Sequence, residues 1–289
     1  MVQVIAEETA NKLLKGICIP PQPQIMVDLQ MEMSMSDSSL ESICAILSKD
    51  VGISGCILKV VNSPFFNLRN QISSIKQALS LLGIENIANI VNSLSIRDSF
   101  SDAKIMEMTP FWDNAMDVAM TSAAIARQLG VATPDEAYTL GLFHNTGIPL
   151  LVDKYQHYPE ILAAAYNEPT RKITDIENDR MGTNHAVVGY FVAKAWKLPS
   201  YLAEVIASHH KTEDIFADKV QTDKHQKNLL AILKLAETTC KSGQTLGNTP
   251  VDYEFLRIKK NVLLYIGLSE YDFEDLKYEL IEISQSYTR

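Results

Sequence analysis

The chain of 289 residues holds six histidines, His144, His157, His185, His209, His210 and His225, and four of them sit in unusual company. His185 is followed by Val188, Gly189 and Val192 at i+3, i+4 and i+7, and His209 is preceded by Leu202, Val205 and Ile206 at i−7, i−4 and i−3. Both extend an apolar helical stripe. His144 lies four residues after Leu140 and beside Phe143, and His210 adjoins His209 near the end of the same helix. Burying an imidazole costs free energy unless both nitrogens find partners. One such residue is ordinarily a hydrogen-bonded core histidine. Three or four on the inner faces of separate helices can be satisfied together by one shared cation, because imidazole is the commonest metal ligand. His157 and His225 stand in polar surroundings and read as surface residues.

Hydrolysis at a metal needs more than imidazoles. A carboxylate that bridges or terminates the cation helps to generate hydroxide. Directly after His144 stands Asn145, whose neutral amide oxygen is a poor bridge. Glu237, on the helix after the His209-His210 pair, can supply one carboxylate; otherwise it is a surface or capping acid.

The elements that must carry these residues are helical. Only 12 glycines and 11 prolines punctuate the chain, which favours long helices over many short strands. Ser36 to Ser39 precede an apolar stripe of Leu40, Ile43, Cys44 and Leu47, and Ser73 or Ser74 caps a helix carrying Ile75, Leu79 and Leu82. Residues 1–16 read as a short amphipathic helix, and Pro64 with Phe65 and Phe66 as a helix stop followed by an aromatic plug. Thr133-Pro134-Asp135-Glu136 starts the helix that ends at His144. Helices follow over 184–196, 200–210 and 228–240 and twice within 252–289, while 211–226 reads as a loop or loose segment and 243–250 as a break. The expected fold is all-α, with an N-terminal helical subdomain over 1–105, a histidine-bearing one over 106–245 and a C-terminal helical extension over 246–289.

The bulk numbers exclude several functions. Hydrophobic residues make up 46% and charged residues 21%, an ordinary globular balance. The net charge of −9 and the absence of a Lys/Arg cluster argue against nucleic acid as a partner; Arg257, Lys259 and Lys260 read as a solvated helix face. Nothing approaches the roughly 18 apolar residues that span a bilayer, and the N-terminus lacks a signal-peptide pattern, so no membrane insertion is expected. The cysteines (Cys18, Cys44, Cys56 and Cys240) form no C-x-x-C pair; Cys44 and Cys56 read as small core residues, and a reducing, cytoplasmic location is expected.

The run Gly141-Leu142-Phe143-His144-Asn145-Thr146-Gly147 resembles the G-L-L-H-D-I-G motif of the HD superfamily of metal-dependent phosphohydrolases. Further segments narrow the resemblance to the HDOD domain family, relatives of the HD-GYP cyclic-di-GMP phosphodiesterases. They include Pro20-Pro21-Gln22-Pro23, Asn62-Ser63-Pro64-Phe65-Phe66, Ala78 to Gly83, Trp112, Met181 to Gly189, Trp196-Lys197-Leu198-Pro199 and His209-His210, spread over roughly residues 16–240. The family's metal positions then fall on Asn114, on His144 and Asn145, on His185, on His209-His210, and near Glu237. Two ligand positions are therefore lost, at Asn114 and Asn145. No GYP signature occurs in 153–180, and Asp50-Val51 stands where the family has Asp-Pro.

The resemblance implies a bacterial, HDOD-type signal-transduction or regulatory protein that acts through protein contacts without catalysis. A second reading is a phosphodiesterase-like, metal-dependent phosphohydrolase with a mononuclear site of His144, His185, His209 and His210 with Glu237. A third is a sensor of a nucleotide-like ligand in the vestigial pocket. Without a bridging aspartate the centre holds at most one divalent ion, such as zinc, iron or nickel, or none.

Overall fold

The computed structural model describes residues 14, 16–22, 24–63, 68, 71–98 and 100–285. The helix expected over 1–16 and the Pro64-Phe65-Phe66 plug lie almost wholly outside the described residues. The rest is all-α, with no strand among the described residues. The helices are α1 Gln24–Met33, α2 Leu40–Leu47, α3 Val51–Val61, α4 Ile75–Leu82, α5 Ile84–Asp98, α6 Asp102–Glu107, α7 Thr109–Leu129, α8 Pro134–Phe143, α9 Gly147–Lys154, α10 Tyr158–Tyr166, α11 Ile173–Met181, α12 His185–Ala195, α13 Ser200–Ser208, α14 Thr212–Phe216, α15 Lys224–Thr239, α16 Ser242–Gly247, α17 Tyr253–Ile266 and α18 Glu270–Gln285. Two compact units emerge; among the described residues one holds 20–107 with 283–285, and the other 108–282 with 14 and 16–19.

The 20–107 unit contains α1 to α6. Ser39 caps α2 through a capping box with Ser42, Asp50 caps α3 and Ser74 caps α4. Asn62 ends α3 and clamps the following segment. Its amide donates to the Ile72 carbonyl at 2.7 Å, and its oxygen accepts from the Ile72 amide at 2.6 Å. Ile43, Leu47, Ile57, Val61 and Leu79 fill the core between these helices. Cys44 and Cys56, expected as core residues, are only half-buried, because the apolar stripes of α2 and α3 turn Ile43, Leu47, Ile57 and Val60 inward in their place.

The 108–282 unit is organised around α15. Leu229, Leu230, Ala231, Ile232, Leu233, Leu235 and Ala236 are all buried, so the middle of this helix is apolar nearly all round and lies inside the unit. It packs on α7, α8, α13 and α17. The 211–226 segment, expected as a loop, contains α14, which Ile215 and Phe216 anchor in the core; the 243–250 break contains the short helix α16. Both are too short for a periodic signal to show.

The approach of α9 to α12 is set by absent side chains. A Cβ built on Gly147 would run into the His185 backbone carbonyl, and one on Gly189 would lie 3.1 Å from the Ile206 methyl and 3.5 Å from the His144 carbonyl. Two glycines thus let backbone meet backbone where His144 and His185 enter the interior. Gly147→Ala is expected to destabilise the unit by about 2–3 kcal/mol through overpacking. Gly55→Ala, in an exposed helical position with no heavy atom within 4 Å, should stabilise by up to about 1 kcal/mol. Denaturant midpoints of the two variants check the pair; equal shifts of the same sign would contradict the packing argument.

Candidate metal centre

The four histidines are delivered by helix ends. His144 is the C-cap of α8 and His209 the C-cap of α13; His185 opens α12 behind its N-cap Asn184, and His210 follows directly after His209. Their side chains are 0–2% exposed. Consecutive residues within a helix diverge by about 100°, so His209 and His210 can both face one centre only where the helix is ending.

Every Nδ1 has an acceptor. His144 Nδ1 donates to the Gly141 carbonyl at 2.7 Å, and His209 Nδ1 donates to the Ile206 carbonyl at 2.7 Å. A carbonyl can only accept, so these two nitrogens carry the proton. His185 Nδ1 donates to both oxygens of Glu177, at 2.8 and 2.9 Å, and His210 Nδ1 donates to Glu254 Oε2 at 2.7 Å. Glu177 also accepts from the Tyr158 hydroxyl at 2.5 Å, and Glu254 from Thr212 Oγ1 at 3.0 Å and Lys234 Nζ at 3.1 Å.

With Nδ1 the donor in all four rings, Nε2 is the nitrogen each ring presents to the interior. His185 Nε2 lies 3.2 Å from His209 Nε2 and 3.0 Å from His210 Nε2, and the three lie within 4.8 Å of one another. Protonation is a poor remedy for three converging lone pairs. Burial first, then His210, Lys234 and the other imidazoles, holds His209 well below the ordinary histidine range; burial and Lys234 do the same for His210. A cation satisfies all three at once. Zn–N bonds of about 2.0–2.1 Å at tetrahedral angles hold the nitrogens roughly 3.3 Å apart, close to the observed separations. The donor set suits zinc, iron or nickel and leaves a fourth position open.

The remaining site residues lie beside this trio. His144 makes edge contact with the His209 ring, centroids 5.4 Å apart, and its Nε2 has no hydrogen-bond partner but lies 3.4 Å from Glu237 Oε1. Glu237 is buried, with Oε2 2.8 Å from Lys234 Nζ. Burial alone would raise its pKa, yet the Lys234 ammonium holds it well below the carboxylate range. Asn145 is buried with its Oδ1 unbonded; Asn114 is buried on α7 and makes none of these histidine contacts. His157 is exposed, and His225 is partly exposed and bonds Glu136 at 2.9 Å.

Glu177, Glu254, Lys234 and Tyr158 belong to the centre without having been visible in sequence as site residues. Lys234 alone left a trace: it interrupts the apolar run Leu229 to Ala236, three residues before Glu237. A cavity of about 400 Å³ borders the centre. His210 lines it with Lys172, Lys211, Asn178 and Asn184.

A family model for the HDOD domain matches residues 19–212. An uncharacterised protein of Treponema pallidum (strain Nichols) is 27% identical over 202 residues, covering 66% of this chain and 37% of that protein. The chain thus spans little more than a third of that relative's length. A Shewanella amazonensis structure provisionally described as a phosphohydrolase superposes with a TM-score of 0.67 at 20% identity, covering 95% of this chain and 94% of that one. An HDOD domain protein of unknown function from Geobacter sulfurreducens gives 0.65 at 22%, with 95% and 94% coverage. A Marinobacter aquaeolei structure provisionally described as a signal transduction protein gives 0.61 at 17%, with 99% and 60% coverage. At these identities the structural likenesses establish the fold.

In chelator-treated protein, His209 and His210 stay neutral when folded but bind protons when unfolded. Their depressed folded values make stability full above the unfolded imidazole pKa and falling below it. Each is expected to cost up to about 1.4 kcal/mol per pH unit below about pH 6.5. Thermal midpoints at descending pH check this, and a flat profile across that range would contradict it.

Proposed function

The chain belongs to the HDOD domain family, and from that membership we propose a non-catalytic signal-transduction module that acts through protein contacts, its histidine centre serving as a structural metal site. The observation that carries this reading is Asn145. It directly follows His144, is buried, and offers a neutral amide oxygen where a bridging carboxylate would be needed. His185, His209 and His210 are the residues that would hold a metal, and a divalent ion there would supply Lewis acidity. The protein's own groups are arranged for holding: each ligand imidazole is oriented by a second partner, the arrangement that fixes ring direction and raises donor strength.

A mononuclear phosphohydrolase is the second reading, favoured by the 400 Å³ cavity that His210 shares with Lys172 and Lys211. A phosphoester anion in it would lie beside His210. The same cavity would serve the nucleotide-sensing reading.

Protein reconstituted separately with zinc, iron, nickel and manganese, and offered cyclic dinucleotides, nucleotides and a generic phosphoester, is expected to show no turnover above that of His144→Ala. Robust hydrolysis abolished by His144→Ala would overturn the non-catalytic reading. A rise in thermal midpoint with one nucleotide, without turnover, would favour the sensor. Glu177→Gln replaces the orienting carboxylate of His185 and should weaken zinc binding about 10- to 100-fold in a chelator competition. Unchanged affinity would show that the trio is not the zinc site.

A further inference from the structure

Lys234 is the ammonium group of the histidine cluster. A lysine 3% exposed inside the unit is costly unless paired. Its Nζ lies 2.8 Å from Glu237 Oε2 and 3.1 Å from Glu254 Oε2. Each of these carboxylates also reaches a histidine: Glu237 Oε1 lies 3.4 Å from His144 Nε2, and Glu254 Oε2 lies 2.7 Å from His210 Nδ1. Two carboxylates converging on one buried point, each tied to an imidazole, form the environment that hard divalent cations take. Here the point is filled by a side chain.

Asp252 lines the same pocket as Lys234, Glu237 and Glu254. The carboxylates gathered about Lys234 thus outnumber it, and its charge offsets them where a divalent ion otherwise would.

We propose that Lys234 is a built-in cation that stands in place of a second metal ion, so that the centre accepts one divalent ion on His185, His209 and His210 and refuses another at Glu237 and Glu254. The proposal rests on the metal-holding reading for the first ion only. The exclusion itself is read from the difference between two proteins.

The test counts ions in the full chain. Zinc-loaded wild type is equilibrated with excess Mn²⁺, and bound Mn²⁺ is measured by electron paramagnetic resonance, with zinc by elemental analysis. The same is done for Lys234→Met, which keeps the stem and removes the charge, and for Lys234→Arg, which keeps the charge. Wild type and Lys234→Arg are expected to bind no Mn²⁺, and Lys234→Met to bind one further equivalent per chain. One Mn²⁺ on the wild type, or equal totals in wild type and Lys234→Met, overturns the proposal. Failure of the wild type to hold zinc overturns the metal-holding reading and leaves the difference between the proteins as the judge of Lys234. If Lys234→Met is too unstable to dialyse, its thermal midpoint with Mn²⁺ decides. A rise of about 5–10 °C absent from wild type supports the exclusion, and no rise overturns it.

Discussion

The centre depends on one constraint, the tautomer of its imidazoles. In a dry interior each N–H must be given to something. For His144 and His209 the acceptor is the carbonyl three residues earlier in the same helix, one of the carbonyls that a helix end leaves unpaired. Being a C-cap histidine is therefore enough to place the proton on Nδ1. His185 and His210 have no such local solution and take a glutamate each, from α11 and from α17. Once the protons are placed, the Nε2 atoms of His185, His209 and His210 have nowhere to point but at one another.

The surrounding electrostatics follow. Glu177, fully buried, accepts from His185 and from the Tyr158 phenol; burial first, then Glu177 itself, raises the phenol's pKa so that it remains a donor. Lys234 stays charged against its own burial because two carboxylates hold it, and its pKa is raised accordingly. The cluster is thus a set of mutually dependent charges, in which removing one partner leaves another buried and uncompensated. The backbone approach at Gly147 and Gly189 keeps this set small enough for its members to touch.

The histidines and the all-α fold were legible in the chain because both depend on periodicity. An imidazole continuing an apolar stripe can be seen in a string of letters. Glu177 could not be found this way: it lies eight residues before its partner His185, across the left-handed Gly182 turn that ends α11, and no helical period links the two. Glu254 is 44 residues from His210 and reaches it only through tertiary packing. Lys234 was visible as a break in an apolar run, but a long cationic side chain ordinarily reaches solvent, and only the positions of Glu237 and Glu254 show why this one does not. The short helices α14 and α16 escaped because one turn carries no period and tertiary contacts make them helical.

The match to the family ends at residue 212, after the last histidine of the centre but before Lys234, Glu237 and Glu254. The centre is thus less portable than its imidazoles. A segment transplanted at those boundaries would carry four histidines and the Glu177 anchor, yet leave behind Lys234, Glu237 and Glu254, the last of them the anchor of His210. The smallest piece of this chain that can be inherited as a working centre extends to α17.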